Sequence, residues 1–126
     1  MKNEEFKVDY HPEFVKELER LAVKKKFKKL PNQIKKFAKE LEKGNFSGTV
    51  LDRKNSPKNC DIYKVRLPNE DTKAGKSNGY RVIYFAASSE KIVVLLTIYY
   101  KKEQTSIHES YIAALIDGYF EKYHPN

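Results

Sequence analysis

The sequence predicts an α+β fold: a small, mostly antiparallel sheet of four or so strands with an N-terminal helical hairpin and a C-terminal helix. Several segments alternate apolar and polar residues, which is typical of half-buried strands. Two segments near the N-terminus instead repeat apolar residues at helical spacing. The chain has 126 residues, 40% of them hydrophobic. This length supports a single domain, residues 1–126, with its own core.

Residues 6–10 alternate and form the first predicted strand. Pro12 then opens a helix, because proline fits the first helical position. Pro31 opens a second helix, and Gly44 is well placed to cap its C-terminus. The apolar faces of the two helices are expected to be Phe14, Leu18 and Leu21, and Ile34, Phe37, Ala38 and Leu41.

Beyond Gly48, the polar stretch Asp52–Asn59 predicts a loop or a weak edge strand. Strands follow at Ile62–Leu67, Tyr80–Phe85 and Ile92–Tyr99. The last of these lacks alternation, which indicates a strand covered on both faces or nearly so.

Ser106 and Glu109 form a capping-box pattern that would start the final helix. All helices are expected on one side of the sheet, leaving the opposite face free to bind a partner.

The balance of charged residues points to a polyanionic partner. Lys and Arg number 25 and Asp and Glu 17, giving a net charge of +8. Nucleic acid is the most frequent partner of such a chain, although an acidic protein or an anionic membrane surface would also serve. The longest apolar run, Ile92–Ile98, is too short to cross a membrane. A charged N-terminus unlike a secretory signal and a single cysteine, Cys60, fit the cytoplasm.

Motifs for metal or cofactor chemistry are missing from the sequence. His11, His108 and His124 lack the spacing of metal ligands, and no glycine-rich phosphate loop occurs. The acidic residues fall mainly on predicted helices and loops, where they indicate solvated surfaces. No metal or cofactor is therefore expected, and any hydrolytic chemistry would have to use cations, histidine or tyrosine.

Three cations are expected on one surface of the sheet. Lys64 and Arg66 share one side of their strand, and Arg81 lies in the next strand among residues that favour burial. Such a cluster suits a phosphate, and arginine can stabilise the charge that develops when an RNA 2′-hydroxyl attacks its own phosphate. Crowding by arginines disfavours the ammonium form of Lys64, which makes it the candidate base.

The acid of that reaction could be Lys102 or His108, or less readily Tyr99. Each residue also has a simpler interpretation. Strand lysines and arginines are often merely solvated, and Arg81 could pair with Asp61 or Asp71. His108 could be an ordinary exposed residue of a first helical turn.

Three segments together resemble a known family, the RelE/ParE superfamily of bacterial toxins. They are Ile62–Asn69, Gly75–Tyr84 and Ile98–Gln104. The likeness is closer to the RelE- and HigB-type members, which cleave messenger RNA. It covers nearly the whole chain, and the G-K-S-x-G-Y-R-V-I-Y block is its most specific part.

The resemblance implies an endoribonuclease toxin (mRNA interferase) of a type II toxin–antitoxin system. Such a toxin enters the A site of the 30S ribosomal subunit, cuts the mRNA there, and is silenced by a cognate antitoxin. Some RelE-type enzymes have a functional tyrosine six residues after the basic residue of the last segment, where this chain has His108. Motif by motif, the catalytic residues would be Lys64, Arg66, Arg81, Lys102 and, by position, His108, with Tyr99 or Tyr100 as substitutes for His108. The RNA-binding residues would be Lys24, Lys25, Lys26, Lys28, Lys29, Lys73, Lys76 and Lys101.

Two other functions remain open at this stage. A ParE-like inhibitor of DNA gyrase would share the fold but would need no catalytic cluster. A non-enzymatic RNA-binding module would lose RNA affinity on alanine substitution of the cations, with no cleavage to lose.

Overall fold

A computed structural model describes residues 5–51, 60–73 and 75–123, and the predicted loop Asp52–Asn59 and His124 lie outside this part of the chain. The strands are β1 (Lys7–Tyr10), β2 (Thr49–Val50), β3 (Cys60–Leu67), β4 (Tyr80–Ala87) and β5 (Ile92–Tyr100). The helices are α1 (Pro12–Glu19), α2 (Leu30–Glu42) and α3 (Glu109–Tyr123). A π-helical turn, Arg20–Lys24, extends α1, and a 3₁₀ turn, Lys76–Asn78, precedes β4.

The strands form one sheet in the order β1-β5-β4-β3-β2. β1 is parallel to β5, and the other neighbours are antiparallel. The predicted α+β class with a mostly antiparallel sheet is therefore confirmed, with five strands in the described residues. β5 lies between β1 and β4 and is buried along almost its whole length, as its lack of alternation predicts.

The signals at the ends of α1 and α2 act as expected. His11 precedes Pro12, and its Nδ1 accepts a hydrogen bond from the backbone N–H of Glu13 at 3.0 Å. The opposite ring nitrogen lies 3.1 Å from the carbonyl oxygen of Leu115. Gly44 follows the last residues of α2 with a φ of +85°, a conformation that glycine adopts at little cost.

The expectation that all helices lie on one side of the sheet is wrong. The helical hairpin packs on one face, whereas α3 packs on the other through Ile112, Leu115, Ile116 and Tyr119. The reason is that β4 and β5 are apolar on both faces, so that a single helical layer would leave Ile83, Phe85 and Leu96 in water.

The capping-box prediction is also wrong, because α3 begins three residues after Ser106. The backbone N–H groups of Tyr111 and Ile112 bond to the carbonyl of His108, at 3.1 and 3.2 Å. The side-chain amide of Gln104 donates to the Ser106 carbonyl at 2.9 Å, which keeps this segment in the turn that leaves β5.

α3 covers only part of its face of the sheet. Its apolar cluster includes Ile62 of β3, Ile83 of β4 and Leu96 of β5, but no residue nearer the C-terminal end of β3. On this face, the side chains of β3, β4 and β5 that lie level with the C-terminal end of β3 are therefore outside the apolar cluster. No helix in the described ranges is long and apolar enough to cross a membrane.

Candidate active site

The row of side chains beyond this apolar cluster consists of the exposed Arg66 and the buried Arg81 and Tyr99. Arg66 of β3 pairs directly with Arg81 of β4, and Arg81 pairs with Tyr99 of β5. Lys64 lies two residues before Arg66, opposite Ile83, and so belongs to the same face. The structure thus brings together the three strand cations that the alternation places on one surface.

A groove of about 400 Å³ lies beside β3 at this end of the sheet. Lys64 is half-buried in it, whereas Arg66 and Lys76 are exposed. In the described part of the chain, none of these three side chains has a carboxylate within ion-pair distance. Three unpaired cations around one groove favour a bound phosphate. The lining residues are Ser47, Gly48, Thr49, Lys64, Val65, Arg66, Leu67 and Lys76.

The far wall of the groove is the short segment Ser47–Thr49. Gly48 has a φ of +107°, and a Cβ atom there would lie 2.5 Å from the carbonyl oxygen of Lys64. Only glycine permits so close an approach of the segment to β3. The buried Tyr84 hydroxyl donates to the Ser47 carbonyl, and the Tyr84 ring stacks on Tyr63 with 4.9 Å between centroids. The wall is therefore fixed to the sheet by packing and by a hydrogen bond.

Arg81 is only 4% exposed and is bound by main-chain carbonyls. Its Nη1 donates to the carbonyls of Lys76 and Tyr80 at 2.8 and 3.2 Å, and its Nη2 donates to Ser77 at 3.2 Å. Neither Asp61 nor Asp71 is its partner, so the simpler interpretation of Arg81 as half of an ion pair does not hold. Two of its five N–H groups have no partner among the described residues. Arg81 thus fixes the turn that contains Lys76.

Lys101 and Lys102 follow β5 and lie beside the 3₁₀ turn Lys76–Asn78, whose carbonyls Arg81 binds. The backbone N–H of Lys101 donates to the Gly79 carbonyl at 2.9 Å. Lys102 is exposed, and its turn is closed by the N–H of Glu103, which donates to the Tyr100 carbonyl at 2.9 Å. The loop after β5 therefore presents Lys102 at the same end of the sheet as Arg66 and Arg81.

The three further acid–base candidates occupy different environments. His108 is exposed just before α3, and its side chain makes no hydrogen bond or ion pair with the described cations. Tyr100 is buried in the core on the hairpin side, 5.0 Å from the Phe27 ring, so it cannot act on the face of Arg81. Tyr99 lies on that face, and burial raises the pKa of its hydroxyl, opposed by the charge of Arg81. Tyr99 therefore remains protonated at neutral pH.

The lysine-rich turn, residues 24–29, also lies at this end of the sheet. Phe27 is its anchor, packing its ring against Tyr80 and Tyr100 in edge geometry at 6.0 and 5.0 Å. The backbone N–H of Lys29 donates to the Asp71 carboxylate at 3.0 Å. The exposed lysines near this end are Lys24, Lys25, Lys26, Lys28, Lys29, Lys73 and Lys76, whereas Lys101 is half-buried.

Two features of the site escape prediction from the sequence. The Ser47–Thr49 wall comes from a segment far from β3 in the chain, and the positive φ of Gly48 has no unambiguous local signal. The contacts of Glu103 with Arg20 and Lys25 join residues more than 75 positions apart. In the described residues, no three His, Cys, Asp or Glu side chains are close enough to share a metal ion.

Comparison with known proteins identifies the fold. No protein-family model matches the sequence, and no curated protein sequence matches it significantly. Among solved structures, an arginine-to-alanine double variant of E. coli toxin RelE in the free state superposes with a TM-score of 0.53 at 19% identity, covering 90% of this chain and 97% of that one. The isolated E. coli RelE toxin gives 0.49 at 20% identity, covering 89% and 97%. The chain has a RelE-like fold over nearly its entire length.

Proposed function

We propose that this protein is the toxin of a type II toxin–antitoxin pair and that it cleaves mRNA in the ribosomal A site without a metal ion. The main observation is the arrangement of Arg66 directly opposite Arg81, next to a groove lined by Lys64 and Lys76, which have no ion-pair partner among the described residues. The RelE-like fold supports the same proposal. The partners would be the mRNA on the 30S subunit and a cognate antitoxin.

In the proposed reaction, the 2′-oxygen of one nucleotide attacks the adjacent phosphorus while the bond from phosphorus to the 5′-oxygen breaks. The products are a 2′,3′-cyclic phosphate and a free 5′-hydroxyl. Lys64, which is half-buried in the groove, accepts the proton of the 2′-hydroxyl when its amine is in the neutral form. Arg66 and the guanidinium of Arg81 stabilise the additional negative charge on the phosphoryl oxygens.

The leaving 5′-oxygen needs a proton donor. Lys102 is the first candidate, because its turn lies beside the Arg81 turn and its side chain is exposed. Tyr99 is the second, because it faces the same surface as Arg81 and keeps its proton at neutral pH. His108 would need the segment before α3 to approach the row of Arg66 and Arg81.

A non-enzymatic RNA-binding module is the main alternative. The burial of Arg81 against main-chain carbonyls favours it, because those hydrogen bonds give Arg81 a structural role that needs no substrate. In that case Arg66, Lys64 and Lys76 would contact phosphates without promoting their cleavage.

Primer-extension mapping of an mRNA in a purified translation system tests the proposal. The wild-type protein should produce cuts within A-site codons, and omission of ribosomes should abolish them. Arg66→Ala should remove the cuts while retaining the fold. Intact message with the wild-type protein, together with retained ribosome binding, would support the RNA-binding module instead.

A further inference from the structure

We propose that Glu103 is a positioning residue that, through its contacts with the helical hairpin, holds Lys102 in fixed relation to Arg66 and Arg81. The proposal rests on the endoribonuclease function described above. Glu103 is a carboxylate on a basic surface, adjacent in sequence to Lys102, and its contacts reach across the molecule to the end of the first helix.

The Glu103 carboxylate joins two cations of the helical hairpin. Its Oε1 lies 2.8 Å from Nη2 of Arg20, and its Oε2 lies 3.3 Å from Nη1, so the arginine is bound by both oxygens. Oε2 also lies 3.3 Å from Nζ of Lys25 in the lysine-rich turn. The hydrogen bond from Arg20 lowers the pKa of the Glu103 carboxyl, which therefore stays ionised at neutral pH.

Arg20 is itself held in place. Its Nε donates to Oε1 of Glu17 at 3.1 Å, so that its guanidinium is fixed between α1 and Glu103. This two-sided arrangement is more ordered than a single surface ion pair, because each nitrogen of the planar guanidinium has its own carboxylate oxygen.

The main chain transmits this restraint to Lys102. On one side of Lys102, the N–H of Lys101 is bound to Gly79, which adjoins β4 and Arg81. On the other side, Glu103 is bound through its N–H to Tyr100 and through its side chain to Arg20. The turn that contains Lys102 is thus bonded to both the start of β4 and the helical hairpin. Without the Glu103 carboxylate, its ion pair with the hairpin would be lost.

A surface that only bound RNA would gain nothing from Glu103. Its negative charge lies among lysines that are expected to contact phosphates, and it would oppose their binding. Its removal should therefore affect binding and catalysis in opposite directions. Affinity for RNA should stay constant or increase, whereas cleavage should slow because Lys102 is no longer held in position.

The experiment compares wild-type protein with Glu103→Ala in two assays at one salt concentration. Binding is measured on ribosomes programmed with an mRNA whose A-site codon has 2′-deoxyriboses, and cleavage is measured in single turnover on the ribonucleotide message. We expect an equal or lower Kd and a cleavage rate reduced by about tenfold. The conservative Glu103→Asp should recover part of the rate, and Glu103→Ala with Lys102→Ala should be no slower than Lys102→Ala alone. Glu40→Ala, at the far end of α2, is the control for loss of a surface carboxylate.

Each outcome decides between distinct conclusions. Unchanged cleavage by Glu103→Ala, a parallel loss of binding and cleavage, or additive rate losses with Lys102→Ala would overturn the positioning role while leaving the proposed function in place. A wild-type protein that cuts no message would overturn both. If Glu103→Ala does not fold, the isosteric Glu103→Gln gives the same comparison.

Discussion

Arg66 and Arg81 are paired in register, yet replacement of each by alanine should have a very different effect on stability. Arg66 is exposed and unpaired within the described residues, so Arg66→Ala should change the free energy of unfolding by less than about 0.5 kcal/mol. Arg81→Ala removes three hydrogen bonds from a charged donor to the carbonyls of Lys76, Tyr80 and Ser77. Hydrogen bonds to charged groups contribute about 1.5–3 kcal/mol each, but three bonds of one side chain are not additive.

A total cost of about 3 kcal/mol for Arg81→Ala is therefore reasonable, or roughly 10 °C in Tm for a domain of this size. Thermal and urea unfolding of the two variants and of wild type provide the measurement. Arg81→Lys, with its single ammonium, should recover only part of the loss because it cannot span the same carbonyls. Equal melting temperatures for Arg66→Ala and Arg81→Ala would refute the assignment of Arg81 as the residue that fixes the Lys76 turn.

Three further predictions concern the wall of the groove, the start of α1 and the lysine-rich turn. Gly48→Ala should destabilise the fold by about 1–3 kcal/mol, because the φ of +107° and the close approach to β3 both exclude a Cβ atom. Gly118→Ala, in α3 with free space around it, should instead stabilise the fold by about 0.5–1 kcal/mol. Equal urea midpoints for the two variants would contradict this prediction. Burial lowers the pKa of His11, whose Nδ1 must stay unprotonated to accept the hydrogen bond from the Glu13 N–H. Neutral His11 therefore stabilises the fold above the ordinary pKa near 6.5, and this stabilisation is lost as pH falls below that value. Wild type should then lose more stability than His11→Asn, which keeps a capping side chain, between pH 7 and pH 5.5, and parallel pH profiles would disprove it. In ribosome binding, Lys28→Ala should reduce the slope of log affinity against log salt concentration by about 1. Lys25→Ala should reduce this slope by less, because Lys25 is paired with Glu103. Binding that does not depend on salt would contradict both expectations.

The sequence was sufficient for most of the fold because local signals and long-range packing agree. Pro12 and Pro31 start their helices where a missing N–H costs nothing, and Gly44 follows the end of α2 in a conformation that favours glycine. The uninterrupted apolar run of β5 indicated correctly that both of its faces are covered. The same observation, applied also to β4, argues for helices on both sides of the sheet.

The errors came from signals that tertiary contacts override. The Ser106–Glu109 capping box is a local pattern, and it yields to the turn in which the Gln104 amide bonds the Ser106 carbonyl. At the site, alternation correctly placed Lys64, Arg66 and Arg81 on one face. It could not show that Arg81 is buried against carbonyls, since those partners depend on how the loop before β4 folds.

The most direct test of the proposed chemistry is a single 2′-deoxy substitution at the mapped cleavage position of a reporter mRNA on programmed ribosomes. The protein should fail to cut at that position and should cut an otherwise identical all-ribose message there, leaving a 2′,3′-cyclic phosphate and a 5′-hydroxyl. Continued cutting of the 2′-deoxy message would contradict attack by the 2′-hydroxyl, and with it the roles proposed for Lys64, Arg66 and Arg81.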